Sequence, residues 1–179
     1  MKVWLPVLYA AAGWGGTWAI GLSAVYYWSA PEGWILMGVL AGAATAMFLR
    51  RLPGRPTNRR LLLAAISWIA GGLLSAAYVT YAVLPGWLGL ALPGASLTAW
   101  AAGSRSRIAA ALVFLAWFGA GVAGWAGCGT VGKAIGMAIA GFIGGRAAPY
   151  LVWSIAWGVG GLVTGLIGAL VTLRFSPSA

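Results

Sequence analysis

"WILMGVLAGAATAMFLRRLPGRPTNRRLLLAAISWIAGGLL", residues 34–74, contains two apolar runs separated by an arginine-rich stretch. Similar apolar runs recur along the whole chain. Runs of about 17–25 residues cross a hydrocarbon core of about 30 Å as α-helices. The stretch between the two runs, residues 50–60, holds five arginines and two prolines, so it is predicted to be a hydrophilic loop. The pattern predicts a pair of membrane helices joined by a charged turn.

Composition extends this prediction to the whole chain. Hydrophobic residues make up 62% of the 179 residues and charged residues only 7%, whereas about a quarter of the residues in a soluble domain are charged. Transmembrane barrels alternate polar and apolar residues, but the apolar runs here are continuous. The sequence therefore predicts an all-α, polytopic membrane helix bundle in which residues 1–179 form a single transmembrane domain.

Prolines, glycines and charges mark the ends of the predicted spans. We predict seven transmembrane helices, at residues 4–28, 34–49, 61–84, 86–102, 108–124, 126–145 and 149–173. The alternative has six full spans, with residues 126–156 forming a re-entrant or interfacial pair of half-helices. "GCGTVG", residues 127–132, favours that alternative because three glycines in six positions suit a broken helix.

The basic residues predict the orientation. By the positive-inside rule, the arginine-rich loop at residues 50–60 is cytoplasmic, and so is the N-terminus. Lipid headgroups are the expected contacts of the loop arginines, which are Arg50, Arg51, Arg55, Arg59 and Arg60. Since most of the net charge of +10 lies in short loops between apolar runs, no nucleic-acid partner is predicted. The expected location is a bacterial-type inner membrane.

The chain is poor in the residues that carry chemistry. It has no histidine, one cysteine (Cys128) and one acid (Glu32). Zinc and haem sites, Ser–His catalysis and carboxylate-bound magnesium all need residues that are missing here. No catalytic residue, metal site or cofactor is predicted, and we expect a protein that is not an enzyme.

Small residues form stripes on the last two predicted spans. The stripes consist of Gly132, Gly136, Ala140 and Gly144 on one span, and of Gly161 and Gly165 on the other. Such faces let helix backbones approach closely in lipid. They predict a structural or accessory subunit that packs in a homo-oligomer or with other membrane subunits. Lys133, beside the first stripe, is expected near the outer end of its span, where its side chain extends to water.

Other features favour a second function, the binding or transport of a small or apolar molecule. Trp14, Trp18 and Trp117 fall in mid-span, where indole rings could stack on a bound lipid, pigment or quinone. Pro93 and Gly94 also fall in mid-span, and broken helices mark binding sites in transporters.

Gly-Trp pairs suggest a repeated helical hairpin. The pairs begin at Gly33, Gly86 and Gly124, and each is expected at an outer turn. Their spacing is irregular, and the preference of tryptophan for interfaces and of glycine for turns explains the pairs equally well. The sequence leaves internal duplication open.

Overall fold

The computed structural model describes residues 4–54, 56–78, 83–104, 106–143 and 148–176. Secondary structure in these ranges is helical. The α-helices are α1 (Trp4–Tyr27), α2 (Ala30–Leu49), α3 (Asn58–Tyr78), α4 (Val83–Ala101), α5 (Arg107–Gly127), α6 (Lys133–Ile143) and α7 (Ala148–Phe175). A π-helical turn, Cys128–Gly132, joins α5 to α6.

Four helical segments are long and apolar enough to cross a membrane. They are Ala30–Leu49, Asn58–Tyr78, Arg107–Ile143 and Pro149–Phe175. The predicted all-α bundle of membrane type is therefore confirmed.

The helices form a closed ring. From α1 to α5 each helix packs on the next one along the chain. The α5–α6 segment then packs on α7, and α7 closes the ring by packing along α1. The ring consists of three antiparallel hairpins: α1 with α2, α3 with α4, and the α5–α6 segment with α7. The core of the ring lies at its centre, where large buried side chains from all three hairpins meet.

Seven spans are not found, because residues 107–143 run on as one helix. The turn expected at Gly124 is absent, and Trp125 lies inside α5. The glycines at 127–132 leave the helix intact and widen it to a π-helical turn. A helix tolerates such a bulge because its backbone groups remain hydrogen-bonded within the helix. The re-entrant pair of the alternative prediction is likewise not found, since α6 continues the direction of the same helix.

Three prolines, two of them expected to lie between helices, lie inside helices of the structure. Pro31 and Pro85 lie in the first turns of α2 and α4, where a missing N–H costs nothing because that group has no partner within the helix. Residues 79–82, between α3 and α4, lie outside the described residues. Pro93 lies inside α4, which continues through it to Ala101.

The bundle has two distinct ends. At one end, the turn after α2 lies beside the start of α1, and Ser176 lies beside Leu52 and Ala102. We call this the terminal end. At the opposite end, Tyr27 contacts Tyr150 at a ring separation of 4.8 Å. The three hairpins carry the chain along the bundle six times. Both ends of the described chain, Trp4 and Ser176, therefore lie at the terminal end.

Several predicted packing residues lie where backbones approach most closely. A Cβ atom on Gly132 or Gly136 would lie 2.7 or 2.4 Å from a backbone oxygen of α7. On Gly161 or Gly165 it would lie 2.2 or 2.3 Å from a backbone oxygen of α1. Ala140 is buried on the same face, and Gly144 lies outside the described residues. These small faces are thus occupied by contacts within the chain.

Candidate functional site: an aromatic pocket at the π-helical turn

Six tryptophans fill the centre of the ring. They are Trp14, Trp18, Trp34, Trp68, Trp87 and Trp117, each at most 2% exposed. Trp14 is central, with ring centroids 4.6 Å from Trp68 and 5.4 Å from Trp117. Rings at these distances attract one another and exclude water.

Hydrogen bonding divides this cluster into two halves. The indole N–H groups of Trp68 and Trp117 donate to the hydroxyls of Thr98 and Thr172, and that of Trp87 donates to a backbone carbonyl. The indole nitrogens of Trp14, Trp18 and Trp34 have no partner among the described residues. The cluster is therefore a packed core that retains some unpaired polar atoms.

The residues predicted to bind a ligand lie in or against this core. Five cavities were found among the described residues, and none of them is lined by Trp14, Trp18, Trp117 or Pro93. Gly94 is covered by the Trp68 ring, since a Cβ atom there would lie 2.2 Å from it. Ligand binding at these five residues stays a prediction.

A ligand-sized pocket lies instead at the end of the bundle that holds the π-helical turn. Its volume is about 500 Å³, and it opens between α1, the turn and α7. We call it the aromatic pocket. Its lining residues are Tyr26, Tyr27, Trp125, Ala126, Cys128, Gly129, Trp153 and Trp157.

The aromatic side chains of the pocket support one another. The Tyr26 ring stacks on Trp157 with centroids 5.1 Å apart and planes 18° apart. The Trp153 ring also stacks on Trp157, with centroids 6.0 Å apart, and the Tyr27 ring contacts Trp157 with centroids 5.7 Å apart. Trp157 is buried, whereas Trp125 and Trp153 are 43% and 37% exposed. The pocket thus has a fixed aromatic floor with two accessible rings at its rim.

The π-helical turn lets one helix keep a single face against α7. Gly124 and Gly132, eight residues apart, would point about 80° apart in a regular α-helix. Both nevertheless approach α7 closely, because the wider turn absorbs that rotation. The turn also places Cys128 in the pocket wall, where its thiol donates to the Trp125 carbonyl. π-bulges of this kind occur often at functional sites.

Lys133 begins α6 directly after the turn, and its side chain is exposed. Its Nζ atom lies 5.5 Å from the centre of the Trp153 ring, within the range of a cation–π contact. The lysine therefore lies beside the pocket rim, against one of the lining rings.

The five loop arginines separate into two groups. Arg50 and Arg51 line a cavity at the terminal end. Arg59 and Arg60 belong to the first turn of α3, and Arg60 lies 5.2 Å from the Trp100 ring on another side. Arg55 lies outside the described residues.

No protein-family model, curated protein or solved structure matches this chain.

The sequence patterns did not predict the aromatic pocket. Trp125 was expected at an outer turn, and no role was predicted for Tyr26, Tyr27 or the aromatic residues of the last helix. Tyr150, Trp153 and Trp157 recur at steps of three and four, which places them on one face of α7. That spacing was the available signal, but the three helices that contribute to the pocket meet only in the folded chain.

Proposed function

We propose that this chain is a six-span protein of a bacterial-type inner membrane that binds a small, flat, apolar molecule in the aromatic pocket and catalyses no reaction. The observation that carries the proposal is the pocket itself. A volume of about 500 Å³ lies within the range of about 300–1,000 Å³ for small-molecule sites. Five of its eight lining residues are aromatic, which suits a pigment, a quinone or the apolar part of a lipid.

The orientation follows from the placement of charge. Of the seven basic residues in the described ranges, six lie in or near the terminal end: Arg50, Arg51, Arg59, Arg60, Arg107 and Arg174. The positive-inside rule then makes the terminal end cytoplasmic, with both chain ends inside and the aromatic pocket near the outer surface. With seven spans Arg174 would lie outside, against the positive-inside rule, whereas with six spans it lies inside.

Binding of an apolar fluorescent probe tests this function. N-phenyl-1-naphthylamine, a neutral aromatic amine, should saturate at one molecule per chain in detergent, with enhanced emission. Trp153→Ala removes a rim ring and should weaken binding. Trp4→Ala is the matched control, because Trp4 is 62% exposed at the opposite end and lines none of the five cavities. Equal affinity of the two variants would refute the site.

Docking as an accessory subunit stays a second proposal. It is favoured by an open apolar groove of about 430 Å³ on the outside of the ring, where small residues of α1 and α7 meet. A Cβ atom on Gly16 in that groove would meet nothing within 4 Å. Gentle extraction should then yield a particle larger than one chain, whereas a solitary monomer would refute docking.

A further inference from the structure

A second cavity, larger than the aromatic pocket, lies at the terminal end. Its volume is about 900 Å³, and it opens between the start of α1, the end of α2 and the start of α3. It is lined by Leu5, Pro6, Tyr9, Met47, Arg50, Arg51, Pro56, Asn58 and Leu61. We call it the basic cavity.

The basic cavity has two chemically different walls. Leu5 and Met47 are 48% and 49% exposed and face outward from the flank of the bundle. Arg50, Arg51 and Asn58 lie at the end of the bundle, where α2 finishes and α3 begins. An occupant that fits both walls has an apolar part along the flank and an anionic part at the end.

The charge of this cavity is not balanced within the chain by an acidic side chain. The only one, Glu32, is in the first turn of α2, whereas Arg50 follows the last residue of that helix. About 27 Å of helix separates these two positions. The two arginines thus present positive charge with no carboxylate side chain beside it, and arginine pairs well with the oxygens of a phosphate.

One of these arginines is held in place. The guanidinium carbon of Arg51 lies 3.9 Å from the centre of the Tyr9 ring, a close cation–π contact. The contact limits the conformations of the side chain. Less conformational freedom is therefore lost when an anion binds.

We propose that the basic cavity is a binding site for one anionic phospholipid. Its phosphate lies between Arg50 and Arg51, and its acyl chains run along Leu5 and Met47. Charge complementarity selects the anionic headgroup, and the apolar wall selects a lipid over a free ion. The assignment to the cytoplasmic leaflet rests on the proposed orientation, but the site does not depend on the aromatic pocket.

Native mass spectrometry of the full chain, with added phosphatidylglycerol or phosphatidylcholine, tests the site. The wild type should retain one phosphatidylglycerol and bind phosphatidylcholine about tenfold more weakly or worse. The double variant Arg50→Gln/Arg51→Gln should weaken phosphatidylglycerol binding by about tenfold or more. The matched control, Arg59→Gln/Arg60→Gln, loses the same charge outside the cavity and should change it by less than about twofold.

A further variant tests the site even if the double variant Arg50→Gln/Arg51→Gln does not fold. Tyr9→Leu leaves the charge intact but removes the ring under Arg51, and should weaken phosphatidylglycerol binding by about two- to fivefold. Equal losses in the two double variants would show diffuse attraction and overturn the proposal. Unchanged binding by Tyr9→Leu, or full competition by inorganic phosphate, would also overturn it.

Discussion

The indole N–H of Trp68 donates a hydrogen bond of 3.0 Å to the hydroxyl of Thr98 on the neighbouring helix. That hydroxyl donates in turn to the carbonyl of Gly94, one turn earlier in α4. Gly94 also provides the space in which the Trp68 ring lies. Tryptophan, threonine and glycine thus form one locking unit between the two helices of a hairpin.

The same unit recurs in the third hairpin. Trp117 donates to Thr172 at 3.0 Å, Thr172 donates to Gly168, and Gly168 lies under the Trp117 ring. The structure therefore supports the repeated hairpin that the sequence left open, but on other residues. Gly33-Trp34 and Gly86-Trp87 are the fourth and fifth residues of α2 and α4, whereas Gly124 lies near the end of α5.

The first hairpin lacks the lock. Trp14 and Thr45 are buried there, but the Trp14 nitrogen and the Thr45 hydroxyl oxygen have no partner among the described residues. The residue four positions before Thr45 is Ala41 rather than glycine. Gly94 and Gly168 hold the equivalent positions in the other two hairpins.

The first prediction concerns the threonines. Thr98→Val keeps the shape but leaves the buried Trp68 N–H without an acceptor, so the free energy of unfolding should fall by about 1–3 kcal/mol. Thr45→Val removes a hydroxyl that is already unpaired and should leave stability unchanged or raise it. Thermal unfolding in mild detergent measures both variants. If Thr45→Val lowered the free energy of unfolding as much as Thr98→Val, the loss could not be assigned to the hydrogen bond from Trp68.

The second prediction concerns the glycines under the rings. Gly168→Ala would place a Cβ atom 2.5 Å from the Trp117 ring, and such overpacking typically costs about 1–3 kcal/mol. Gly119→Ala, in α5, is the control, because a Cβ atom there meets nothing within 4 Å. The control should be neutral or up to about 1 kcal/mol more stable. Denaturation monitored by circular dichroism measures the stability of both variants. Equal stability of Gly168→Ala and Gly119→Ala would contradict the close packing of Gly168 against the Trp117 ring.

The third prediction concerns topology. With six spans, green fluorescent protein fused after Ala179 should fluoresce, because the proposed orientation places that residue in the cytoplasm. Alkaline phosphatase at the same place should be inactive. A phosphatase fusion after Ile143 should be active, since five crossings place that residue outside. Active phosphatase at the C-terminus would restore the seven-span topology.

The fourth prediction uses the single thiol of the chain. Cys128 lines the aromatic pocket, so N-ethylmaleimide reports on the pocket without the removal of other cysteines. N-phenyl-1-naphthylamine at about ten times its Kd should slow labelling about tenfold. Mass spectrometry measures the rate. In Trp153→Ala the same concentration of the probe should slow the labelling of Cys128 less. If labelling were slowed as much as in the wild type, the probe would not bind against Trp153.

The membrane class of this protein could be predicted from the sequence because each span is a local property. A span needs only enough consecutive apolar residues, and α1, α2 and α3 lie close to their predicted ranges. The failures occurred at residues whose effect depends on position in a helix. Pro85 lies in the first turn of α4 rather than before the helix, and α5 continues through Gly124, where a reversal was predicted, into a π-helical turn.

Composition and periodicity thus determined an all-α membrane protein with basic residues near one end and without the usual catalytic groups. Tertiary structure alone decided that Trp14, Trp18 and Trp117 form a core and that the small faces of α6 and α7 are occupied within the chain. It also decided that Tyr26, Trp125 and Trp153 form a pocket. These residues are up to 127 positions apart in the chain. The register of the helices and the π-helical turn bring them together, and both depend on contacts between helices.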